Sequence, residues 1–308
     1  MDRLEAMATL VEAVDAGSLS AASRKMNVPL PTVSRKIADL ESHLGARLLT
    51  RSTRKLTLTD AGAAYVGVAK RILEQVADAE RTAAGEYSAP KGDLAVTAPI
   101  VFGRLHVLPL VTDFLTRYPE INIRLMLSDR NADLIDEHVD MAIRIGALSD
   151  SSMIATRVGA VRHVLCASPS FLASHGVLET PAALATLPCI SHEFLRAPSA
   201  AWPFRKPGAK VDMMAPVRVR LTVTTAEAAL DAAVAGIGVT RLLSYQVAEA
   251  VARGALRIIL AQYEREPVPV SILHAGREIL PLKVRTFRDF AVPRLRAAIG
   301  SATPNKHV

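Results

Sequence analysis

Three apolar stripes at helical spacing, packed into residues 4–44 and separated by two abrupt breaks, constrain this chain more than any other feature. Leu4, Met7, Val11 and Val14 follow the 3–4–3 step of one buried helix face. Ala16-Gly17 ends that helix, and Ser18 is a good N-cap for the next. The second helix is short, Leu19 to Met26, and packs Leu19, Ala22 and Met26. Asn27 closes it, and Val28-Pro29-Leu30-Pro31 makes a tight link. Proline holds φ near the helical value and lacks an N–H, so Pro31 suits the first turn of a third helix. That helix is expected to bury Val33, Ile37, Leu40 and Leu44, and it stops at Gly45.

Its opposite face presents Thr32, Ser34, Arg35 and Lys36. Three short helices with a compact turn before the last fit a helix-turn-helix, whose final helix enters the major groove by its N-terminal part. Arg is suited to that place because it pairs bidentately with guanine. An ordinary three-helix bundle with a solvated polar face is the alternative at this point. The next residues decide against it. Leu48 and Leu49 precede Thr50-Arg51-Ser52-Thr53-Arg54-Lys55, and Leu56-Thr57-Leu58 alternates as a strand does. A hairpin with cations and hydroxyls at its tip can lie along a phosphate backbone without reading sequence. The whole chain carries a formal +7, which alone supports several partners. Residues 24–55 hold eight cations against Asp39 and Glu41, a net +6 on the third helix and the hairpin.

The run Leu19-Ser20-Ala21-Ala22-Ser23-Arg24-Lys25-Met26-Asn27-Val28, with Thr32-Val33-Ser34-Arg35-Lys36-Ile37, Leu40-Glu41, Leu44-Gly45-Ala46-Arg47-Leu48-Leu49 and Leu56-Thr57-Leu58-Thr59-Asp60-Ala61-Gly62, closely resembles the DNA-binding domain of LysR-type transcriptional regulators. The resemblance implies an all-α winged helix-turn-helix in which Pro31, Thr32, Ser34 and Arg35 touch bases or phosphates and Arg51, Thr53 and Arg54 form the wing. Ser18 and Lys36 complete the expected DNA-binding set. One departure stands out: the family usually carries a polar pair where this chain has Pro29-Leu30. Leucine cannot hydrogen-bond a base edge, though it can touch a thymine methyl.

Thr59 can cap a long helix running to about Gly85. Within it Tyr65, Ala69, Ile72, Val76, Ala79 and Ala83 keep heptad spacing, which argues for pairing with a second copy. The helix is expected to lack a neighbouring core in its own domain. Two recognition helices on two half-sites supply the affinity that one short helix lacks. The resemblance implies pairing through a linker helix at this position, as a homodimer or homotetramer.

From Lys91 the rhythm becomes strands alternating with helices, an α/β pattern. Strands are expected at Asp93–Ala98, Ile121–Leu127, Val139–Ile145, Ala160–Ala167, Val217–Val223, Gly238–Thr240 and Val268–His274, and helices at Phe102–Arg117, Ala226–Ala235 and Pro281–Ile299. Gly92-Asp93-Leu94, Leu108-Pro109, Phe114, Tyr118-Pro119, the run from Asp140 to Gly146, and Ala235-Gly236-Ile237-Gly238-Val239 extend the resemblance. It implies a two-lobed, Rossmann-like effector domain similar to periplasmic binding proteins. The expected division is residues 1–58 for DNA binding, 59–88 for the linker, and 89–308 for the effector domain. Lobe one covers about 91–162 and 268–300, lobe two about 163–267. Ligands in such sheets bind at the carboxyl ends of strands, beside positive helix N-termini. Thr97, Ala98 and Pro99 end one strand before a helix, and Thr224 and Thr225 end another. Ser128, Arg144, Ile145 and Gly146 close further strands, and Trp202 is a candidate lining residue. Together they read as a pocket for a small-molecule effector such as a carboxylate, although each Thr or Ser taken singly is better explained as a helix cap.

Other chemistry is set aside on spacing. Gly236-Ile237-Gly238 lacks the rest of a dinucleotide fingerprint, and the chain has no P-loop, nucleophile elbow or His-Glu-x-x-His. Cys166 and Cys189 are too few and too distant for a disulfide framework or thiolate metal site. No cofactor, no metal and no catalysis are expected. No apolar run nears the ~18 residues that span a bilayer, and Asp2, Arg3 and Glu5 stand where a secretory leader needs apolar residues. The chain is therefore expected in the cytoplasm, without a membrane partner, regulating transcription on double-stranded promoter DNA. The rivals are an α/β small-molecule enzyme with an N-terminal DNA tether, which turnover by the 91–308 fragment would favour, and an architectural DNA protein without operator preference.

Overall fold

Asp2 opens the first helix, its carboxylate accepting the N–H groups of Leu4 and Glu5 at 2.9 and 3.2 Å. The computed structural model describes residues 1–52, 55–83, 89–129, 139–148, 153–176, 178–192, 201–276 and 280–301. It separates the chain into two units, Met1–Ala89 and Pro90–Val308. The first holds α1 (Arg3–Asp15), α2 (Leu19–Met26), α3 (Leu30–Leu44), the antiparallel strands β1 (Leu49–Ser52) and β2 (Lys55–Leu58), and α4 (Asp60–Ala83). Leu10, Ala22, Val33, Ile37, Leu40, Leu48, Leu49 and Val66 form its core.

Three expectations need correction here. The face that α1 buries is Ala6, Thr9, Leu10 and Ala13, while Leu4 is 40% exposed and Met7, Val11 and Val14 are half-buried. Two alanines let the helix approach its neighbours closely, and Thr9 is tolerated inside because its hydroxyl donates to Glu5 O at 2.7 Å. On α3, Leu44 is 39% exposed. The left-handed Gly45 (φ 63°) turns the chain away there, so the buried stripe ends at Leu40. Finally, α4 does have a core of its own. Val66 and Ala69 are buried, Tyr65 packs on the domain core, and Lys70 reaches Asp15 at 2.6 Å. Gly62 makes this docking possible, because a Cβ there would sit 1.9 Å from Leu48 O. Further along, Ile72 and Val76 are half-buried and Ala79 is exposed.

The second unit runs β3 (Gly92–Ala98), α5 (Ile100–Phe102), a π-helical turn at Gly103–Val107, α6 (Leu108–Arg117), β4 (Ile121–Leu127), β5 (Met141–Ile145) and β6 (Met153–Val161). Then come β7 (His163–Ala167), α7 (Pro169–His175), β8 (Pro188–His192), β9 (Ala201–Arg205), β10 (Asp212–Pro216), β11 (Arg218–Val223), α8 (Ala226–Val234), β12 (Val239–Leu243), α9 (Ser244–Ala252), β13 (Arg257–Ile259), β14 (Val268–Ala275) and α10 (Leu282–Ser301). One mixed sheet has the order β4-β3-β5-β14-β6 and the other β11-β8-β12-β7-β13, with β9 and β10 paired apart. This is the two-lobed α/β architecture. The chain leaves the first sheet at Val161, enters the second at His163 and returns between Ile259 and Val268. The single strand expected over Ala160–Ala167 is thus broken at Arg162. Its N–H donates to Ser244 Oγ at 3.2 Å and its carbonyl accepts from Ser244 N–H at 2.7 Å, bonds a continuous ladder would have claimed.

Candidate nucleic-acid interface and ligand cleft

The turn between α2 and α3 is built from local bonds. Ser18 Oγ caps α2 by accepting from Ala21 N–H at 3.1 Å, and Asn27 ends it in the left-handed region. Ser23 Oγ donates to Val28 O at 2.6 Å, and Val28 N–H returns to Ser23 O at 3.0 Å. Pro29 O then accepts Thr32 N–H and Val33 N–H at 2.9 and 3.2 Å, which starts α3 without a side-chain cap. Opposite the buried Val33, Ile37 and Leu40, the helix exposes Pro31 and Arg35, with Thr32 and Ser34 half-exposed. Arg35 has no ion pair among the described residues, and Leu30 stands exposed at the helix start. Lys36 belongs elsewhere: it turns toward α1 and pairs with Glu5, because its helical position borders the buried stripe. This departs from its expected place on the DNA-facing surface.

The hairpin is fastened to α3 by Glu41, whose Oε1 accepts Leu48 N–H and Leu49 N–H at 2.7 and 3.0 Å. Thr59 joins hairpin to α4, its hydroxyl donating to Arg47 O at 2.7 Å and accepting Gly62 N–H at 2.9 Å. Arg51 is described through its backbone alone, paired with Leu56, and Thr53 and Arg54 lie outside the described residues.

In the second unit β3 lies parallel to both β4 and β5, so Ala98, Leu127 and Ile145 end on one edge of the sheet. That edge gathers Thr97, Ala98, Pro99, Ser128, Arg144, Ile145 and Gly146. Thr97 and Ala98 are buried, while Pro99, Ser128, Arg144, Ile145 and Gly146 are partly exposed. The helix start there is already engaged, since Ile100 N–H donates to Asp129 Oδ1 at 3.0 Å. In the other lobe Thr225 Oγ1 caps α8 through Ala228 N–H at 3.2 Å, and Thr224 is exposed. The first donors of both helix starts are thus partly used, one of them by an acid. Trp202 departs from expectation. Only 5% exposed, it packs with Phe171, Leu184, Phe204 and Ala215 in a core of the second lobe.

A cavity of about 310 Å³ opens instead among α8, α9 and the segment Val101–His106. Val101, Arg104, Leu105, Leu230 and Tyr245 are on its wall, and none of the expected ligand residues is. His106 contacts Phe102 and Tyr245 with ring centroids 4.8 and 5.8 Å apart. Burial lowers the His106 pKa and raises that of Tyr245, so both rings are neutral at pH 7. The sequence signal was faint: the π-helical turn that aims His106 depends on Gly103, where a Cβ would meet Leu127 Cδ2 at 2.2 Å. Cys166 and Cys189 are buried, and burial pushes their pKa values up to about 12 and about 11, the form of inert thiols. Among the described residues no helix is long and apolar enough to cross a membrane.

Comparison with known proteins agrees across most of the chain. Residues 4–63 match the family model for the bacterial regulatory helix-turn-helix protein of the lysR family, and residues 88–296 match the LysR substrate binding domain. An HTH-type transcriptional repressor of Pseudomonas aeruginosa (strain UCBPP-PA14) is 36% identical over 298 residues, spanning 95% of this chain and 92% of that protein. The HTH-type transcriptional activator AaeR of Escherichia coli (strain K12) is 30% identical over 293 residues, spanning 92% and 91%. Among solved structures, CrgA, a LysR-type transcriptional regulator from Neisseria meningitidis, aligns with TM-score 0.59 at 30% identity, covering 94% of this chain and 98% of that one. Full-length AphB, a virulence activator of Vibrio cholerae, aligns with TM-score 0.60 at 28% identity, covering 94% and 99%.

Proposed function

The chain belongs to the LysR family of bacterial helix-turn-helix transcriptional regulators, and from that premise we propose which residues carry each part of its work. It is a DNA-binding regulator joined to an effector-binding domain. The N-terminal half of α3 enters the major groove, where Arg35 pairs with a guanine and Pro31, Thr32 and Ser34 meet bases or phosphates. Leu30 is suited to a thymine methyl, which distinguishes the operator from those read by a polar residue there. Arg51, Thr53 and Arg54 run along the backbone, and Ser18 closes on a phosphate at the start of α2. The observation that carries this reading is the exposed Arg35, without an ion pair among the described residues, on the face of α3 that the core leaves open.

Residues 1–58, 59–88 and 89–308 act as reader, linker and sensor. Two copies pair through the half of α4 beyond Ala69, where Ile72 and Val76 remain partly open, and the pair, alone or doubled into a tetramer, spans two half-sites. A small carboxylate at the strand edge of Thr97, Ser128 and Arg144, facing Thr225, biases one assembly over another, since an effector acts only by differential affinity. The protein works in the cytoplasm and performs no catalysis. Footprinting on the DNA flanking its own coding region tests the proposal: a protected pair of half-sites one or more helical turns apart supports it, and uniform protection of unrelated DNA refutes it.

A further inference from the structure

The chain crosses between the lobes twice, from Val161 to His163 and from Ile259 to Val268. Both crossings are fastened to the second lobe along most of their length. Arg162 gives its N–H to Ser244 Oγ at 3.2 Å and takes Ser244 N–H on its carbonyl at 2.7 Å, so its backbone follows the start of α9. In the other crossing, Glu264 N–H donates to Ala261 O at 3.2 Å, at the end of a 3-10 turn. Three consecutive side chains there are ion-paired. Glu264 meets Arg162 at 2.6 Å, Arg265 meets Asp212 of β10 at 2.6 Å, and Glu266 meets Arg205 of β9 at 3.5 Å. These bonds are unequal. The side chain of Glu266 is 80% exposed, where an ion pair contributes little, whereas those of Arg162 and Glu264 are 20% and 11% exposed. Removing one partner of so buried a pair leaves the other charge uncompensated.

On the far side the first sheet takes over at once. Val268 pairs with Val161 on the ladder between β14 and β6, and Pro269 O accepts Gly146 N–H at 2.9 Å. Only the Val161–Arg162 junction and Pro267 therefore lie between what is fixed to one lobe and what is fixed to the other, and both adjoin the same rung. Proline holds φ and restricts the residue before it, so Pro267 leaves the second junction little freedom. We infer that the Arg162–Glu264 pair, seated on Ser244, is a hinge clasp. It makes the two crossings one body with the second lobe, so that the lobes turn about the Val161–Val268 rung as a single coordinate. Tyr245, next to Ser244, packs edge-on against Phe102 of the first lobe with ring centroids 5.4 Å apart, and this contact bounds the turn. A ligand that draws the lobes together then works against one rotation, and not against two strands bending separately. Nothing in the clasp depends on which pocket that ligand takes.

Pulsed electron paramagnetic resonance on the full chain tests the clasp. Spin labels go on Ala297→Cys of α10 and Ala173→Cys of α7, exposed positions with one in each lobe. Cys166 and Cys189 are buried and stay unlabelled. Labelled chain is mixed with an excess of unlabelled chain, so that only pairs within one copy are read. With the clasp intact, one narrow distance distribution is expected. Arg162→Met and Glu264→Gln should each broaden it by several ångströms, and Glu266→Gln, at the exposed end, should not. Hydrogen exchange on the same proteins separates a loosened hinge from a loosened fold. Peptides spanning Arg162 and Glu264 should exchange at least about tenfold faster in the two clasp variants, with those of β3 and β8 unchanged. Should both clasp variants fail to fold, Ser244→Ala, which removes only the hydroxyl that accepts the Arg162 N–H, is read in the same two ways. A broad wild-type distribution, an unaltered width in the clasp variants, equal broadening in Glu266→Gln, or uniform acceleration reaching β3 and β8 overturns the inference.

Discussion

Replacing Gly62 with alanine should unseat the DNA-binding domain, although alanine is by itself the better helix former. The added Cβ would lie 1.9 Å from Leu48 O, 2.8 Å from Leu48 C and 3.1 Å from its Cα, all backbone atoms. Leu48 cannot retreat easily. Its N–H is held by Glu41 at 2.7 Å, and its carbonyl accepts Thr59 N–H at 3.0 Å. The start of α4 must instead move by more than an ångström, straining the Thr59 cap and the seating of Val66 and Ala69. Overpacking of this kind costs roughly 1–3 kcal/mol, and each weakened hydrogen bond adds about 0.5–1.5 kcal/mol. Against this, exchanging glycine for alanine in a helix gains at most about 1 kcal/mol. A net loss of about 2–3 kcal/mol is expected. Thermal and urea melts of the full chain, read with DNA affinity, measure it. Gly300→Ala on α10, where nothing lies within 4 Å of the new methyl, is the control and should be neutral or stabilising. An unchanged melt for Gly62→Ala would refute the claim that the hairpin and α4 are locked through this contact.

Arg35→Ala should leave stability within about 0.5 kcal/mol, because the side chain is exposed, while costing roughly 1–3 kcal/mol on operator DNA and much less on random DNA. Equal losses on both, by titration, would remove it from base readout. Arg51→Ala and Arg54→Ala should weaken all DNA alike and each lower the salt slope by about 0.9. Ser18→Ala should cost about 1 kcal/mol of domain stability through the lost cap on Ala21, visible in the same melts. His163 has a folded pKa near 4 against about 6.5 unfolded, so the unfolded chain binds more protons in that window. Stability is then full above pH 6.5 and falls toward pH 4 by about 3 kcal/mol, and His163→Phe should flatten that stretch of a pH–stability profile.

Much of the N-terminal half was legible because its signals are local. Ser18, Asn27, Pro31 and Gly45 each act on bonds within four or five residues, so the limits of α2 and the end of α3 follow from short-range rules. The buried face of α1 did not, because choosing Ala6 and Ala13 over Leu4 and Val11 depends on how closely neighbouring helices come. Similarly, α9 was missed because it follows β12 without an intervening loop, and β8 because Pro188–His192 carries no alternating pattern. Trp202 illustrates the limit at a site, since an aromatic residue reads the same in a core as beside a ligand.

Sequence alone determined that this protein reads duplex DNA and carries a two-lobed sensor. The helix-turn-helix and the α/β rhythm after it rest on periodicity, caps and the placing of cations, which are encoded within short windows, while the two lobes were implied by the resemblance to LysR-type regulators. Only the tertiary structure decided that Lys36 turns to Glu5, that half of α4 belongs to its own domain, and that Arg162 of one connection between the lobes meets Glu264 of the other. Each depends on residues far apart in the chain, such as Glu5 with Lys36, 31 positions away, or Arg162 with Glu264, 102 positions away, meeting within a few ångströms. Such meetings are settled by packing, which no local pattern records.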